Sequence, residues 1–437
     1  MTTLPPRSDL AHAWTLDPEI VFLNHGSFGG CLRTVLEAQS RYRAEIEREP
    51  VRFFNITLWE RLDHARAAVA EVMGGDPADY VFCRNATEGV ATMLENAAEG
   101  VGTPASRPLR PGDELLTFSH EYPACMHNLH RLAERRGCTV RTEPFPVPPP
   151  GEPPLAADAL VEYLLAAVSD TTRLVLVSHI TSPSGVVIPI DRLTGPLAER
   201  GVAVIVDGAH GPGATDFQIP ALGAPFYTFN AHKWFGAPKG AGVLWVRPDL
   251  HDRFRPLVLS NDATTTAGRK KRSHFNLEFD YVGTDDPTAK LAVADAIHGL
   301  PELTGTNWPG IIAANRDLVL EARALLAESL GLRPQIDPEL IGPLAMLPLP
   351  DLPPDLAAAY AKRPTQFADP LQDALLERHK TQVPIWRAGS MLGGGAFDGR
   401  RFIRLSAQRY NTIDQYRYLA DALRTELERE QTELQNA

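Results

Sequence analysis

Four short apolar runs constrain the fold of this chain more than any other feature. They are rich in Val, Ile and Leu and apolar throughout, a pattern typical of strands that are covered on both faces. Helix-like stretches lie between them, and this alternation predicts a mostly parallel α/β sheet with right-handed crossovers. The runs are DELLTFS (113–119), TRLVLVSHI (172–180), VAVIVDGAH (202–210) and AGVLWVRPD (241–249).

The C-terminal third changes character and predicts a second, smaller α+β lobe. A long helical pattern near 305–330 leads to Pro-rich connections around 343–354, a short strand at 401–408 and a charged final helix near 412–432. The Pro-rich segment 144–154 is interpreted as a surface loop, because the alternation continues on both sides of it. Helices are also predicted at 59–73, 86–98, 124–137, 157–170 and 191–201.

Composition narrows the class of protein. A chain of 437 residues that is 44% hydrophobic can build a large core. Its charge of 43 − 54 = −11 argues against a nucleic-acid partner. No apolar stretch approaches the ~20 residues that span a bilayer, and MTTLPPRSDL lacks a signal pattern. Four cysteines make no disulfide framework, so we expect a soluble cytoplasmic protein.

Polar residues where two apolar runs end are candidates for chemistry, because ligands gather at the carboxyl ends of parallel strands. Asp207 follows five apolar residues, so it is expected either to meet a cation or to cap a turn. Lys233 lies between His232 and Trp234, ahead of a Gly-rich turn. A lysine in such a setting can lose its charge and attack a carbonyl, although a surface lysine can show the same pattern.

Together, Asp207 and Lys233 match what pyridoxal phosphate (PLP) requires of a protein. The Asp would keep the pyridine nitrogen protonated, and the Lys would hold the aldehyde as a Schiff base and later transfer a proton. The phosphate needs a third site, which Ala86 and Thr87 offer at the start of a helix whose N–H groups and dipole suit an anion. An ordinary helix N-cap would show the same pattern there.

Several motifs resemble the class V group of fold type I PLP enzymes, which includes cysteine desulfurases, kynureninases and isopenicillin N epimerases. The opening FLNHGSFGG (22–30), together with GTDDP and RLSAQRYN, resembles the isopenicillin N epimerase-like branch most closely. The resemblance runs in register from about residue 20 to the C-terminus. The five motifs that follow the opening are NATEG (85–89), DGAHGPG (207–213), FNAHKWFG (229–236), VGTDDP (282–287) and RLSAQRYN (404–411).

This resemblance implies an α/β fold of the PLP-dependent transferase type I. A large PLP-binding domain at 56–300 would hold a mostly parallel seven-stranded sheet. A smaller α+β domain would follow at 301–437, and an N-terminal segment at 1–55 would contribute to the small lobe and the substrate pocket. The resemblance also implies a homodimer with shared active sites.

The resemblance assigns cofactor-binding roles to individual residues. Lys233 resembles the Schiff-base lysine, Asp207 the partner of the pyridine nitrogen, and His210 a hydrogen bonder to the cofactor's phenolic oxygen. Tyr122 matches the ring that stacks on the pyridine, although a core tyrosine would show the same pattern. Phosphate contacts are implied for Ala86, Thr87, Asn230, His232 and, reaching from the partner subunit, Thr284.

The substrate side of the pocket is implied in the same way. Arg404 matches the arginine that binds the α-carboxylate of an amino-acid substrate, and a planar guanidinium suits a bidentate carboxylate pair. Asn24 and His25, in LNHG, match a segment that lines the substrate pocket, and a lone histidine is also often structural.

The reaction is left open between three outcomes. The branch resemblance favours epimerisation at Cα, with Lys233 on one face and an unidentified acid on the other. Elimination with C–S cleavage needs only one base, and transamination is the third outcome. A persulfide-forming desulfurase is not expected, because 384–406 contains no nucleophilic cysteine. The glycines at 393–395 in that segment predict a flexible loop.

Two other kinds of function compete with this interpretation. Cys125, His127, His130 and Cys138 lie within 14 positions and could be a zinc site, but they also fit an amphipathic helix, and no metal is expected. A non-catalytic relative with an inert pocket is the second alternative. The presence of both Lys233 and Asp207 argues against it.

Overall fold

The structure, a computed structural model, describes most of the chain. Within these residues, none of the helices combines the length and the apolar character that crossing a bilayer requires. The flexible loop predicted at 393–395 lies outside them. The described residues are 4–264, 272–353, 357–358, 360, 362–367, 369–387 and 399–435.

Seven of the twelve strands in the described chain form a central sheet. The strands, in chain order, are β1 (Val21–Phe22), β2 (Tyr80–Cys83), β3 (Glu114–Phe118), β4 (Thr139–Glu143), β5 (Thr172–Ser178), β6 (Ala203–Asp207), β7 (Phe226–Asn230), β8 (Gly242–Val246), β9 (Leu344–Pro348), β10 (Thr381–Gln382), β11 (Ile385–Arg387) and β12 (Arg401–Ser406). The order in the main sheet is β2-β8-β7-β6-β5-β3-β4. Strands β3 to β7 pair in parallel, and β8 is antiparallel to both its neighbours. The predicted mostly parallel α/β sheet is therefore confirmed.

Helices connect these strands and cover the sheet. Those predicted at 86–98 and 191–201 begin where predicted and end within two residues of the predicted positions. The helices are α1 (His25–Phe28), α2 (Arg33–Arg48), α3 (Pro50–Arg52), α4 (Leu58–Met73), α5 (Ala86–Ala98), α6 (Pro123–Arg136), α7 (Ala157–Ala166), α8 (Asp191–Glu199), α9 (His274–Asp280), α10 (Thr288–Leu291), α11 (Val293–Thr304), α12 (Trp308–Leu330), α13 (Pro370–His379) and α14 (Ile413–Gln435).

The central strands are buried on both faces, which explains why their sequences are apolar without alternation. Along β5, Leu174 and Leu176 belong to one core cluster, whereas Val175 and Val177 belong to another. Helices α5 and α6 pack into the first cluster, and α4, α7 and α8 pack into the second. The result is a three-layer α/β/α arrangement around the sheet.

A smaller antiparallel sheet in the order β11-β12-β9 forms in the C-terminal third. Strand β9 corrects the sequence analysis, which expected only Pro-rich connections around 343–354. Its residues LAMLP, including Pro348, pair with β12. The N-terminal β1 pairs in parallel with β10, so the start of the chain lies beside its C-terminal third. The domain boundaries at 55 and 300 stay predictions.

Other differences have local causes. The edge strand β4 is TVRTE, whose polar residues hide its strand character, and β7 is built from aromatic rather than Val-rich sequence. Segment 144–154 contains neither helix nor strand and is largely exposed, as the loop prediction requires.

The start of α5 lies unusually close to β8, and a glycine makes this possible. A Cβ added to Gly242 would lie 2.6 Å from the backbone of Asn85, the residue that precedes α5. The missing side chain thus lets the N-terminus of α5 pack against the sheet beside the end of β7.

We predict that Gly242→Ala lowers the free energy of unfolding by about 1–3 kcal/mol, because the added methyl group overpacks against backbone that cannot move alone. Urea denaturation measures the change. Gly195→Ala is the matched control, since a Cβ there meets nothing within 4 Å and alanine favours the helix. Equal stability of the two variants would contradict the close approach.

Candidate active site

The carboxyl ends of three neighbouring strands supply the floor of the site. Ser178 ends β5, Asp207 ends β6 and Asn230 ends β7, and Ser178 pairs directly with Asp207 in the sheet. A cavity of about 300 Å³ opens above them. The residues singled out from sequence that line this cavity are Ala86, Thr87, Tyr122, Asp207, His210, Asn230, His232, Lys233 and Arg404.

Lys233 is the one amine in the described lining of the cavity. Burial lowers its pKa to about 7; nearby Asp207 opposes that shift and Arg404 adds to it. Its Nζ lies 2.8 Å from Nε2 of His210, whose pKa burial holds well below its ordinary value. Because Trp234 donates to His210 Nδ1, the neutral ring carries its proton on Nε2. A neutral lysine amine can accept that proton as a hydrogen bond, and a pKa of about 7 leaves a large share of the amine unprotonated near pH 7.

Asp207 is a buried carboxylate that borders the cavity. It is 3% exposed; Oδ2 accepts from Sγ of Cys125 at 3.1 Å and Oδ1 from the Ala209 amide at 2.9 Å. Among the described residues it has no arginine or lysine at ion-pair distance. Since a buried carboxylate without a counter-charge is costly, the position fits a protonated pyridine nitrogen.

The positions of the candidate zinc ligands argue against the zinc alternative. Cys125 is buried against Asp207, whereas His127 and His130 lie on the exposed side of α6. The described residues contain no group of three or more His, Cys, Asp or Glu side chains placed to hold a metal ion.

The start of α5 and the loop after β7 meet at the other end of the cavity. The Ala86 amide donates to Oδ1 of Asn230 at 2.8 Å, and Asn85 caps the helix by accepting from the Glu88 amide at 3.0 Å. Nδ1 of His232 is buried there without a hydrogen-bond partner in the described chain. A helix N-terminus beside an unpaired buried ring nitrogen fits the phosphate of PLP.

Arg404 lies in β12 and brings a buried cation to the cavity. It is 1% exposed, and burial lowers its pKa to about 10. It donates to the Ser182 carbonyl, to Oδ1 of Asn24 at 3.2 Å and to Oγ of Ser27 at 2.9 Å. Its Nε is buried without a partner, and no described carboxylate pairs with it. A buried guanidinium in this state fits a carboxylate ligand.

Three predicted contacts, those of Asn24, His25 and Thr284, lie outside the cavity lining. Asn24 instead accepts a hydrogen bond from Arg404 through Oδ1. His25 does not line the cavity: its Nδ1 is 2.9 Å from the Tyr410 hydroxyl and its Nε2 is 3.0 Å from the Lys233 carbonyl. His25 therefore contacts the backbone of the loop that carries Lys233, and the substrate contact implied for it stays a prediction. Thr284 is exposed and bonds to the Tyr281 hydroxyl at 2.8 Å, outside the cavity.

Sequence reasoning missed Glu121, which lies directly under the site. Its carboxyl accepts from the Ser178 amide at 2.6 Å and bonds to the Ser178 hydroxyl at 2.7 Å. Burial, reinforced by the charge of Asp207, raises its pKa to about 8. The only available signal was its place beside Tyr122 in SHEYPAC.

Comparison with known proteins finds a matching family model and similar sequences. The model of the class V aminotransferase family matches residues 31–303. Isopenicillin N epimerase from Amycolatopsis lactamdurans is 31% identical over 422 residues, which cover 94% of this chain and 96% of that protein. L-cysteine desulfhydrase from Arabidopsis thaliana is 27% identical over 443 residues, covering 98% and 92% respectively.

A solved structure matches over almost the whole chain. It is a mutant of C-DES with glycine covalently linked to its PLP cofactor, with a TM-score of 0.73 and 19% identity. The match covers 94% of this chain and 98% of that one. At this identity the likeness shows the fold, and it confirms the predicted PLP-dependent transferase type I architecture.

The raised pKa of Glu121 predicts a pH-dependent stability. Folding favours the protonated carboxyl, so its contribution is complete below the ordinary pKa of 4.5 and is lost as pH rises through about 8. Glu121→Gln keeps both contacts to Ser178 without a charge. We therefore expect the melting temperature of the variant, relative to the parent protein, to be higher at pH 9 than at pH 5.

The control is Glu302→Gln, because Glu302 is exposed on α11. Its melting temperature should follow the parent protein at both pH values. If Glu121→Gln behaves in the same way as this control, Glu121 ionises normally in the folded protein.

Proposed function

This chain belongs to the class V aminotransferase family of PLP-dependent enzymes, and we propose that it cleaves the C–S bond of a cysteine-derived amino acid by β-elimination. The observation that carries the proposal is the set of side chains that line the described cavity. Lys233 is its one amine, and its pKa lies near neutrality.

Bound PLP supplies an electron sink that stabilises negative charge at the substrate Cα. In the proposed site, Lys233 holds the cofactor aldehyde and Asp207 the pyridine nitrogen. His210 binds the phenolic oxygen and Tyr122 packs on the ring. Phosphate contacts are proposed for Ala86, Thr87, Asn230 and His232.

Arg404 would bind the substrate α-carboxylate and orient the Cα–H bond toward the lysine. Asn24 and Ser27 hold its guanidinium in place, so little side-chain freedom remains to be lost when the carboxylate binds. Once the substrate amino group has displaced Lys233 from the aldehyde, the freed Lys233 amine would take the α-proton at Nζ. The same group can deliver a proton to the departing sulfur, because its pKa of about 7 suits both roles.

The lining favours elimination over epimerisation because elimination needs one base. Epimerisation needs a second group that returns a proton to the opposite face. Burial lowers the pKa values of His210 and His232, the latter to about 4, and burial raises the pKa of Tyr122 above its ordinary value. In the described lining, these shifts leave no second group whose pKa lies near neutrality.

Epimerisation is the second candidate, and relatives support it. The isopenicillin N epimerase from Amycolatopsis lactamdurans is more similar in sequence than the Arabidopsis thaliana L-cysteine desulfhydrase. In that case Tyr122, which lines the cavity and is 44% exposed, is the group to test as the second acid. A transaminase would instead return an α-keto acid and retain the amino group.

Persulfide formation on a cysteine is not part of the proposal. Cys125 lies behind Asp207 with a pKa that burial raises well above its ordinary value, so it is not a nucleophilic thiolate. The sequence has no cysteine beyond Cys138.

We also propose a homodimer in which Thr284 reaches the phosphate of the partner subunit. The exposed position of Thr284, away from its own cavity, supports this arrangement. Exposed apolar side chains at Val51 and Ile56 also suit an interface.

The proposal predicts the products of a D2O incubation of the PLP-loaded protein with L-cysteine conjugates, their sulfoxides and isopenicillin N. Elimination converts each S-conjugate and one water into pyruvate, ammonium and the thiol, which mass spectrometry detects. Lys233→Ala should abolish these products, whereas Lys239→Ala should retain them because Lys239 does not line the cavity.

A different product pattern would overturn the lyase assignment. Deuterium at Cα with inverted configuration, and no pyruvate, would show an epimerase. An α-keto acid that keeps its sulfur would show a transaminase.

A further inference from the structure

The charged groups of the cavity are few, and each already has a proposed partner. In the described lining, the charged side chains are Asp207, Lys233 and Arg404, which the proposed function assigns to the pyridine, the aldehyde and the α-carboxylate. Burial lowers the pKa values of His210 and His232, so both rings are neutral at pH 7. No described lining group is left to neutralise a charge on the substrate side chain.

The remaining large side chains of the lining are apolar or aromatic. They are Phe28, Tyr122, Ile180 and Trp386. Phe28 is the most unusual of them, because 71% of its side chain is exposed although it borders a cavity. An exposed phenylalanine ring is unfavourable in water, and covering it with an apolar group stabilises the complex.

Phe28 is held next to the proposed carboxylate site. It directly follows Ser27, whose Oγ accepts from Nη2 of Arg404 at 2.9 Å. The short helix α1 is fixed to β12, since the Gly26 amide donates to Oγ of Ser406 at 2.9 Å. Phe28 is therefore an exposed ring on a backbone that packing fixes in place.

An aromatic ring also lies against the guanidinium of Arg404. The Trp386 ring centroid is 5.7 Å from the guanidinium carbon. A carboxylate bound to Arg404 would thus have Trp386 packed on the cation and Phe28 at the cavity border. The substrate side chain is attached to the Cα next to this carboxylate. It would therefore extend from the carboxylate site through these apolar surroundings.

We propose that Phe28 is a specificity-determining residue that selects substrates with an uncharged, apolar side chain, such as an S-alkyl or S-aryl cysteine. The inference rests on the proposed function for the position of the α-carboxylate. A side chain with a second carboxylate gains no counter-charge from the described lining, and it could cover the Phe28 ring only by giving up hydration.

Affinity for two analogues that cannot undergo C–S cleavage tests this selection. 2-Amino-5-phenylpentanoate replaces the sulfur of S-benzylcysteine by a methylene group, and 2-aminopimelate does the same for S-(2-carboxyethyl)cysteine. Isothermal titration of the PLP-loaded protein should show at least ten-fold tighter binding of the phenyl analogue. Phe28→Ala should weaken its binding about ten-fold and change 2-aminopimelate binding less than two-fold.

Two further variants serve as controls. Phe28→Tyr keeps the ring and should retain the preference, and Leu259→Ala removes an exposed apolar side chain outside the cavity and should change neither affinity. The proposal is overturned if 2-aminopimelate binds as tightly as the phenyl analogue. It is also overturned if Phe28→Ala weakens both ligands equally or leaves the phenyl analogue unaffected.

Failure of the proposed reaction would look different. If S-benzyl-L-cysteine is not cleaved while the analogue preference and its dependence on Phe28 persist, the lyase function falls and the apolar side-chain selection stands.

Discussion

Buried charge without a full counter-charge is the constraint on which this site depends. Asp207, Lys233 and Arg404 share one cavity, and each lacks an ion-pair partner among the described residues. Such an arrangement is unfavourable in the empty protein, because desolvated charges must be paired or neutralised. The chain meets part of this cost at Lys233, whose pKa burial lowers to about 7, whereas Arg404 has a pKa of about 10 and keeps its charge. A cofactor with a ring nitrogen and a phosphate, together with a substrate carboxylate, would meet the rest.

The fold brings these three charged side chains into one cavity and holds each of them on a different element. Asp207 is fixed at the end of a central strand, Lys233 follows on the loop after the next strand, and Arg404 comes from the small sheet some 170 residues later. His25 links these parts, since it contacts the Lys233 carbonyl from a helix that also bonds to β12. This contact lies on the loop that carries Lys233, whose Nζ is 2.8 Å from Nε2 of His210.

Sequence patterns predict the parts of this structure that have one dominant cause. Strands β5 and β6 are apolar because both faces are buried, and the first residues of α5 carry an Asn cap, so both kinds of element are evident in the sequence. Strand β4 is a polar edge, and β9 stands among prolines, so neither has such a signature. Within the site, sequence motifs identify Lys233, Asp207 and Arg404 as candidate functional residues. Glu121 and Phe28 depend on which neighbours fold against them, and no local pattern contains that information.

The central claim is that the buried Lys233 amine carries the cofactor. Reduction of the PLP-loaded protein with borohydride, followed by peptide mass spectrometry, tests it directly, because reduction fixes a pyridoxyl group on the lysine that holds the aldehyde. We predict the mass increase on the peptide that contains Lys233 and none on a peptide that contains only Lys239, whose Nζ donates to the Gly29 carbonyl at 3.0 Å. A pyridoxyl group on Lys239 or on a surface lysine, with Lys233 unmodified, would contradict the account.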